Sequence, residues 1–175
     1  MSTKTLVPLS EYLETTYRPD CEWIDGELRE RNLGELPHAS VQAFFTAYFT
    51  VHKKEFAVRV YPELRLQVAP QRYRIPDVMV MRNSDPADAI VTVPPLLCIE
   101  ILSRDDRMSD MQERVDDYLQ MGVEAVWVID PRRRKAFHAD GRSLQPVVEL
   151  IVHGTAIRVG VAEVFAELDE LKVKD

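Results

Sequence analysis

Two acidic residues stand where an ionised side chain is costly. Glu100 lies inside Leu96-Leu-Cys-Ile-Glu-Ile-Leu102, a nearly continuous apolar run of the kind that forms a strand buried on both faces. A carboxylate buried there without a partner costs on the order of several kcal/mol. The compensating partner is either an arginine, giving a structural ion pair, or a metal ion at the strand edge. Asp77 poses the same question at the head of Val78-Met-Val-Met81, where an Asp taken alone is as readily a turn or cap residue. On neighbouring strands, an Asp and a Glu can share a hard divalent cation, which prefers oxygen ligands. Such a cation, Mg²⁺ or Mn²⁺, can polarise a phosphoryl oxygen and lower the pKa of a bound water. The pair therefore suits phosphodiester hydrolysis.

The surrounding pattern predicts the elements that would carry these residues. Ser10 followed by acidic residues predicts a short helix over 10–16, ended by Pro19. Asp25-Gly26 between two strand-like pieces predicts a β-hairpin over 21–31. Val41, Phe44, Phe45, Tyr48 and Phe49 recur at helical spacing and predict an amphipathic helix over 38–54. Residues 57–68 alternate as a strand, or as two strands joined near Pro62, and 73–81 reads as another strand with Asp77 within it. The Glu100 strand should be followed by a helix capped by Asp105 or Ser109 and closed by Gly122, then by a buried strand over 123–129. Strand, helix and strand at this spacing imply a parallel crossover. Strands over 136–139 and 147–152 and a helix over 162–171 complete the expectation.

A chain of 175 residues with 46% hydrophobic side chains suits a single α/β domain spanning 1–175. Cys21 and Cys98 have no partner at metal-ligand or disulfide spacing and are expected as buried apolar residues. Met1–Leu9 lacks an apolar signal region and no run approaches membrane-span length, so a cytoplasmic protein without a membrane partner is expected. The net charge of −7 argues against an evenly basic nucleic-acid binder. That acidity is confined to the ends. Residues 37–160 hold 16 basic and 16 acidic side chains, so Arg72/Arg74, Arg104/Arg107 or Arg132–Lys135 can still focus positive potential, or serve merely as solvated surface.

Three stretches carry a resemblance. Ile75-Pro-Asp-Val-Met-Val80, Pro94-Pro-Leu-Leu-Cys-Ile-Glu-Ile-Leu-Ser103 and Tyr118-Leu-Gln-Met-Gly-Val-Glu-Ala-Val-Trp-Val-Ile-Asp-Pro131 closely resemble the Uma2 or DUF820 family of proposed endonucleases. Upstream, Asp25-Gly-Glu27 and His38-Ala-Ser40 extend the likeness, which covers about residues 10 to 155. The resemblance implies a PD-(D/E)XK, restriction-endonuclease-like fold: a mixed central β-sheet flanked by α-helices, in a homodimer. It also implies that Asp77 and Glu100 bind a metal, with the backbone carbonyl of Ile101 available as a further ligand. The family's motif lysine would not lie two residues beyond the Glu, where Leu102 stands, but on the following helix four residues before Tyr118. That position is Arg114.

The exchange matters because lysine can shed its proton beside a metal, whereas arginine stays protonated and offers a fixed cationic fork. Arg114 could stabilise developing phosphate charge or pair internally with Glu100. His38 could be a general base or water ligand, or a helix-start histidine with a satisfied hydrogen bond. Glu27 could reach the cleft or be an exposed turn carboxylate. Glu63 and Arg65 read as a cross-strand pair, Ser103 as a turn cap, and Tyr118 and Trp127 as core or interface aromatics. Two functions follow. One is a Mg²⁺-dependent DNA endonuclease using Asp77, Glu100, Arg114 and His38 or Glu27. The other is a catalytically weak or inactive homodimeric binding protein that keeps the nuclease scaffold.

Overall fold

In a computed structural model, residues 6–32, 34–141 and 143–171 are described. The first part of the Met1–Leu9 segment lies outside them. A short helix α1 (Leu9–Glu14) precedes a hairpin of β1 (Cys21–Ile24) and β2 (Glu27–Glu30). Ile24 pairs with Glu27, which leaves a two-residue loop of Asp25 and Gly26, both at positive φ (51° and 91°). That is the geometry an Asp-Gly turn favours. The helix α1 starts after Pro8 rather than at a Ser10 cap, since the Pro8 carbonyl already accepts the Tyr12 amide at 3.0 Å.

Helix α2 (Leu36–Val51) buries Val41, Phe45 and Phe49, one side chain per turn. It begins two residues before the expected start, with Pro37 in its first turn, where a missing N–H costs nothing. Residues 57–68 form two strands, β3 (Val58–Pro62) and β4 (Leu66–Ala69). The strand expected over 73–81 also divides, into β5 (Arg72–Arg74) and β6 (Val78–Arg82). Pro76 has no N–H for a ladder, and the Asp77 carbonyl accepts from Gln42 and Glu63 instead.

These divisions distribute the chain over two sheets. The smaller has the order β2-β1-β5-β4 and is antiparallel. The larger has the order β10-β9-β8-β7-β6-β3, with β7 (Leu97–Ile101), β8 (Ala125–Asp130), β9 (Lys135–Ala139) and β10 (Leu144–Val147). Only β7 and β8 run parallel in it, joined by α3 (Met108–Met121), and Gly122 closes that helix at φ 99°. Neither Asp105 nor Ser109 caps α3; its N-cap is Arg107, and Asp106 binds back to Ser103. The strand expected over 147–152 is interrupted at Val148. Beyond it β11 (Glu149–Ile151) pairs with an unanticipated β12 (Arg158–Gly160), which leads into α4 (Val161–Glu170).

Three layers result. Alternation along β7 sends Leu97, Ile99 and Ile101 into one apolar cluster with α2 and α4, and Cys98 into a second with Met111, Val115 and Tyr118 of α3. Glu100 shares the Cys98 face and so points at α3. A third cluster of Tyr12, Trp23 and Tyr73 holds α1 to the smaller sheet. Both cysteines are buried and free. No helix among the described residues is long and apolar enough to cross a membrane.

Candidate active site

The register of β6 and β7 brings the two carboxylates together. Their last antiparallel partners are Val78 and Ile99, so one residue further along each strand Asp77 falls level with Glu100. Both are buried, at 2% and 1% exposure. The Ile101 amide donates to Asp77 Oδ2 at 2.7 Å, which fixes the carboxylate against the β7 strand. Arg31, just after β2, donates to Asp77 Oδ1, and His38 Nε2 lies 3.3 Å from the same oxygen. His38 occupies the first turn of α2 and Gln42 the next; Gln42 Nε2 donates to the Asp77 carbonyl at 3.0 Å. Gly34 makes room for this arrangement, because a Cβ there would come within 2.8 Å of His38 Nδ1.

Glu100 is satisfied from α3. Tyr118 donates its hydroxyl to Glu100 Oε1 at 2.6 Å, and Arg114, one turn earlier on the same face, places Nη1 3.7 Å from Oε2. Tyr118 is thus a hydrogen-bonding partner of the carboxylate as well as a core aromatic. Arg114 is not a dedicated partner of Glu100. Its guanidinium stands 3.6 Å from Glu22, 3.7 Å from Glu100 and 3.7 Å from Asp106, shared among three carboxylates at distances beyond a hydrogen bond. Asp106 accepts from the Ser103 amide and hydroxyl (2.7 and 2.8 Å) and from Asn32 (3.0 Å).

The two carboxyls respond oppositely to their surroundings. Burial pushes Asp77 up, but the His38 hydrogen bond, the Arg31 and His38 charges and the Ile101 amide together hold it below the usual value. Burial raises Glu100 to about 7, and the charge of Asp77 adds to the rise, which Arg114 and Arg31 only partly offset. For His38, burial acts downward, yet bonding to Asp77 raises it overall.

A cavity of about 10 Å³, enough for one water, is bordered by Asp77, Ile101, Asp106, His38, Arg31 and Arg114. Its border mixes hard oxygens, from Asp77, Asp106 and Ser103, with the guanidiniums of Arg31 and Arg114 and the His38 imidazole; Mg²⁺ is commonly held by one or two carboxylates with water and substrate phosphate completing its shell. Glu100, raised by burial and by the charge of Asp77, would be stabilised in its ionised form by such an ion. No group of three or more His, Cys, Asp or Glu among the described residues is placed to hold a metal ion, so the two carboxylates would need main-chain, water or substrate oxygens to complete a shell. Arg31 would have to yield Asp77 Oδ1 to a cation.

Of the residues singled out in the sequence, Asp77, Glu100, Ile101, His38 and Arg114 converge here. Glu27 opens β2 opposite Ile24 and borders neither this cavity nor the larger cleft beside Asp77. Arg65 does not pair with Glu63. It donates to the carbonyls of Tyr12, Leu13 and Thr15 and lies over the Tyr12 ring, tying down the end of α1. Arg31, Glu22, Asp106, Gln42 and Tyr118 were not anticipated at the site. Tyr118 had a readable signal, its spacing of one helical turn from Arg114; Arg31 had none.

Mixed sheet, crossover helix and paired carboxylates at the ends of neighbouring inner strands define a restriction-endonuclease-like α/β protein. The family profile described as "Uma2: Putative restriction endonuclease" matches residues 9–150, and the chain belongs to that family. A crystal structure described as a putative nuclease belonging to DUF820, from Anabaena variabilis, superposes with a TM-score of 0.79 at 21% identity, covering 93% of this chain and 99% of the other. A cryo-EM structure of a DrdV–DNA complex aligns at a TM-score of 0.42 and 15% identity, covering 75% of this chain and 11% of that one. No curated protein sequence matches the chain.

Proposed function

We propose that the protein is a Mg²⁺-dependent DNA endonuclease, with Mn²⁺ an alternative ion, and that hydrolysis takes place at Asp77 and Glu100. The observation that carries this reading is the level placement of the two carboxylates at adjoining strands, where burial and the charge of Asp77 raise Glu100 to about 7. Asp77, Glu100 and the Ile101 main-chain carbonyl would hold the ion. When bound, it supplies Lewis acidity toward a phosphoryl oxygen and a more acidic water. In hydrolysis the water oxygen bonds to phosphorus as one ester P–O bond breaks, one water proton passing to Glu100 or solvent and one to the departing oxygen. Arg114 meets the charge that builds on the phosphate, and His38 keeps Asp77 oriented. A homodimer fits this reading because β3 leaves one edge of the larger sheet open; sedimentation equilibrium tests it.

A second reading is favoured by the hydrogen bonds already made to Asp77 by Arg31, His38 and Ile101. There the arginines neutralise a retired site and the scaffold binds without cutting. Nicking of supercoiled plasmid with Mg²⁺ or Mn²⁺ separates the two. Metal-dependent nicking that vanishes in Asp77→Ala is expected. No nicking by the natural protein, with nicking gained in Arg114→Lys, would establish the second reading.

A further inference from the structure

Two clefts flank the carboxylate pair, and they differ in charge. The first, about 280 Å³, opens beside Asp77 and His38 and carries Asp20 and Glu63 in its wall. The second, about 440 Å³, is bordered by Ser103, Arg104, Asp106, Met108, Arg132 and Arg133. Both clefts adjoin the water-sized cavity at Asp77, the first through Arg31, Asn32, His38 and Asp77 and the second through Ser103 and Asp106, so charge and not access distinguishes them.

Its position follows from the parallel pairing of β7 and β8. Ile101 is level with Ile129, so the loops after both strands leave the sheet side by side. Carboxyl ends of parallel strands are where open α/β sheets accept ligands. The two acids bordering the arginines are largely spent. Asp130 Oδ1 accepts the amides of Arg132 and Arg133 (3.1 and 3.0 Å), which fixes the turn that presents them. Asp106 is engaged by Ser103 and Asn32. Arg134, in the same turn, is drawn away to Asp169.

The arginines that remain are available. Arg132 and Arg133 are exposed, and Arg132 has no ion-pair partner among the described residues. Arg133 contacts Asp130 at 3.6 Å with its side chain 77% exposed, and Arg104 contacts Glu35 at 3.5 Å with 55% exposed. Such surface pairs are worth at most about 1 kcal/mol and exchange readily for a better anion. Arginine is also the side chain whose planar fork matches phosphate oxygens.

We infer that Arg104, Arg132 and Arg133 form the track that grips the DNA phosphate backbone beside the scissile phosphate, so that the strand enters along the ends of β7 and β8 and not past Asp20 and Glu63. This inference rests on the endonuclease reading and specifies which face the substrate uses.

The test is fluorescence anisotropy of a labelled 20-base-pair duplex in EDTA, where no cutting occurs, across a salt series. The Arg132→Ala/Arg133→Ala variant is compared with the natural protein and with Arg158→Ala, a control arginine on β12. The arginines replaced are exposed, and far-ultraviolet circular dichroism checks that each variant is folded. The double variant should bind about tenfold more weakly and lose about 1.8 from the slope of log K against log salt, roughly 0.9 per phosphate contact. Arg158→Ala should match the natural protein. Natural affinity and slope in the double variant would overturn the track while leaving the endonuclease reading intact. Absence of duplex binding by the natural protein would likewise overturn the track, while metal-dependent plasmid nicking judges the endonuclease reading separately.

Discussion

Two ionic networks meet at Glu22, and they are built to different tolerances. In the first, Arg74 donates to Glu22 at 2.7 Å and to Asp117 at 2.6 Å, and Arg72 binds Glu113 and Asp117, locking β5 of the smaller sheet to α3. In the second, Arg114 serves Glu22, Glu100 and Asp106 with no contact shorter than 3.6 Å. Charges in the first are matched closely: Glu113, despite some burial, is held at about 2 by Arg29, Arg74 and Arg72. In the second, burial and the charge of Asp77 outweigh Arg114 and Arg31, and Glu100 rises to about 7. Close matching serves cohesion between layers, whereas loose matching leaves positions that an external cation or a phosphate can take.

Removing the arginine of each network should expose this difference most strongly. Arg74→Ala leaves Glu22 and Asp117 buried without their closest cation and should cost about 3–5 kcal/mol in urea unfolding. Arg114→Ala, whose contacts are longer, should cost roughly half as much. Equal losses would erase the contrast between the networks.

Glu100→Gln sharpens the comparison from the other side. A carboxyl whose folded pKa is raised from 4.5 to about 7 contributes its stability fully below the unfolded value and loses it as pH rises through about 7. The neutral amide escapes that loss. At pH 8 without metal, Glu100→Gln should therefore be more stable by on the order of 2 kcal/mol, about 5 °C in Tm, while nicking disappears. A lower Tm than the natural protein at that pH would contradict the raised value assigned to Glu100.

Arg31→Gln removes the internal cation that holds Asp77. Calorimetric titration with Mn²⁺ in the absence of DNA should give binding about tenfold tighter, equivalent to about 1.4 kcal/mol. Unchanged affinity would show that Arg31 does not compete with the ion. The smallest effect is expected in acid. Glu113, with its depressed value, contributes stability above its usual 4.5 that is lost as pH falls through about 2. Its side chain is 35% exposed, so after solvent screening the difference from Glu113→Gln should stay under about 1 kcal/mol.

Much of the scaffold was legible because local signals agreed with the tertiary result. Asp25-Gly26 fixed the hairpin, Gly122 ended α3, and the apolar run around Glu100 became a strand buried on both faces. The residues 73–81 misled because strand propensity is continuous across Pro76, while the chain changes sheets there. Val147–Val152 misled for a similar reason, as nothing in its composition announces the break at Val148. At the site, Asp77 and Glu100 stood out by their cost in apolar surroundings. Arg31 and Glu22 did not, since a charged residue in a polar hairpin declares its burial only once the smaller sheet is folded against α3.

The passage of the chain through Ile75–Asp77 from one sheet to the other has a mechanical side. The residues 63–65 make a second passage, from β3 to β4, so two short links tie the sheets together. The Asp77 carbonyl accepts the Glu63 amide and so stitches one passage to the other. Asp77 is thus held at a double seam, and the hairpin that brings Arg31 to it is anchored to the same line of stitches through β1 and β5.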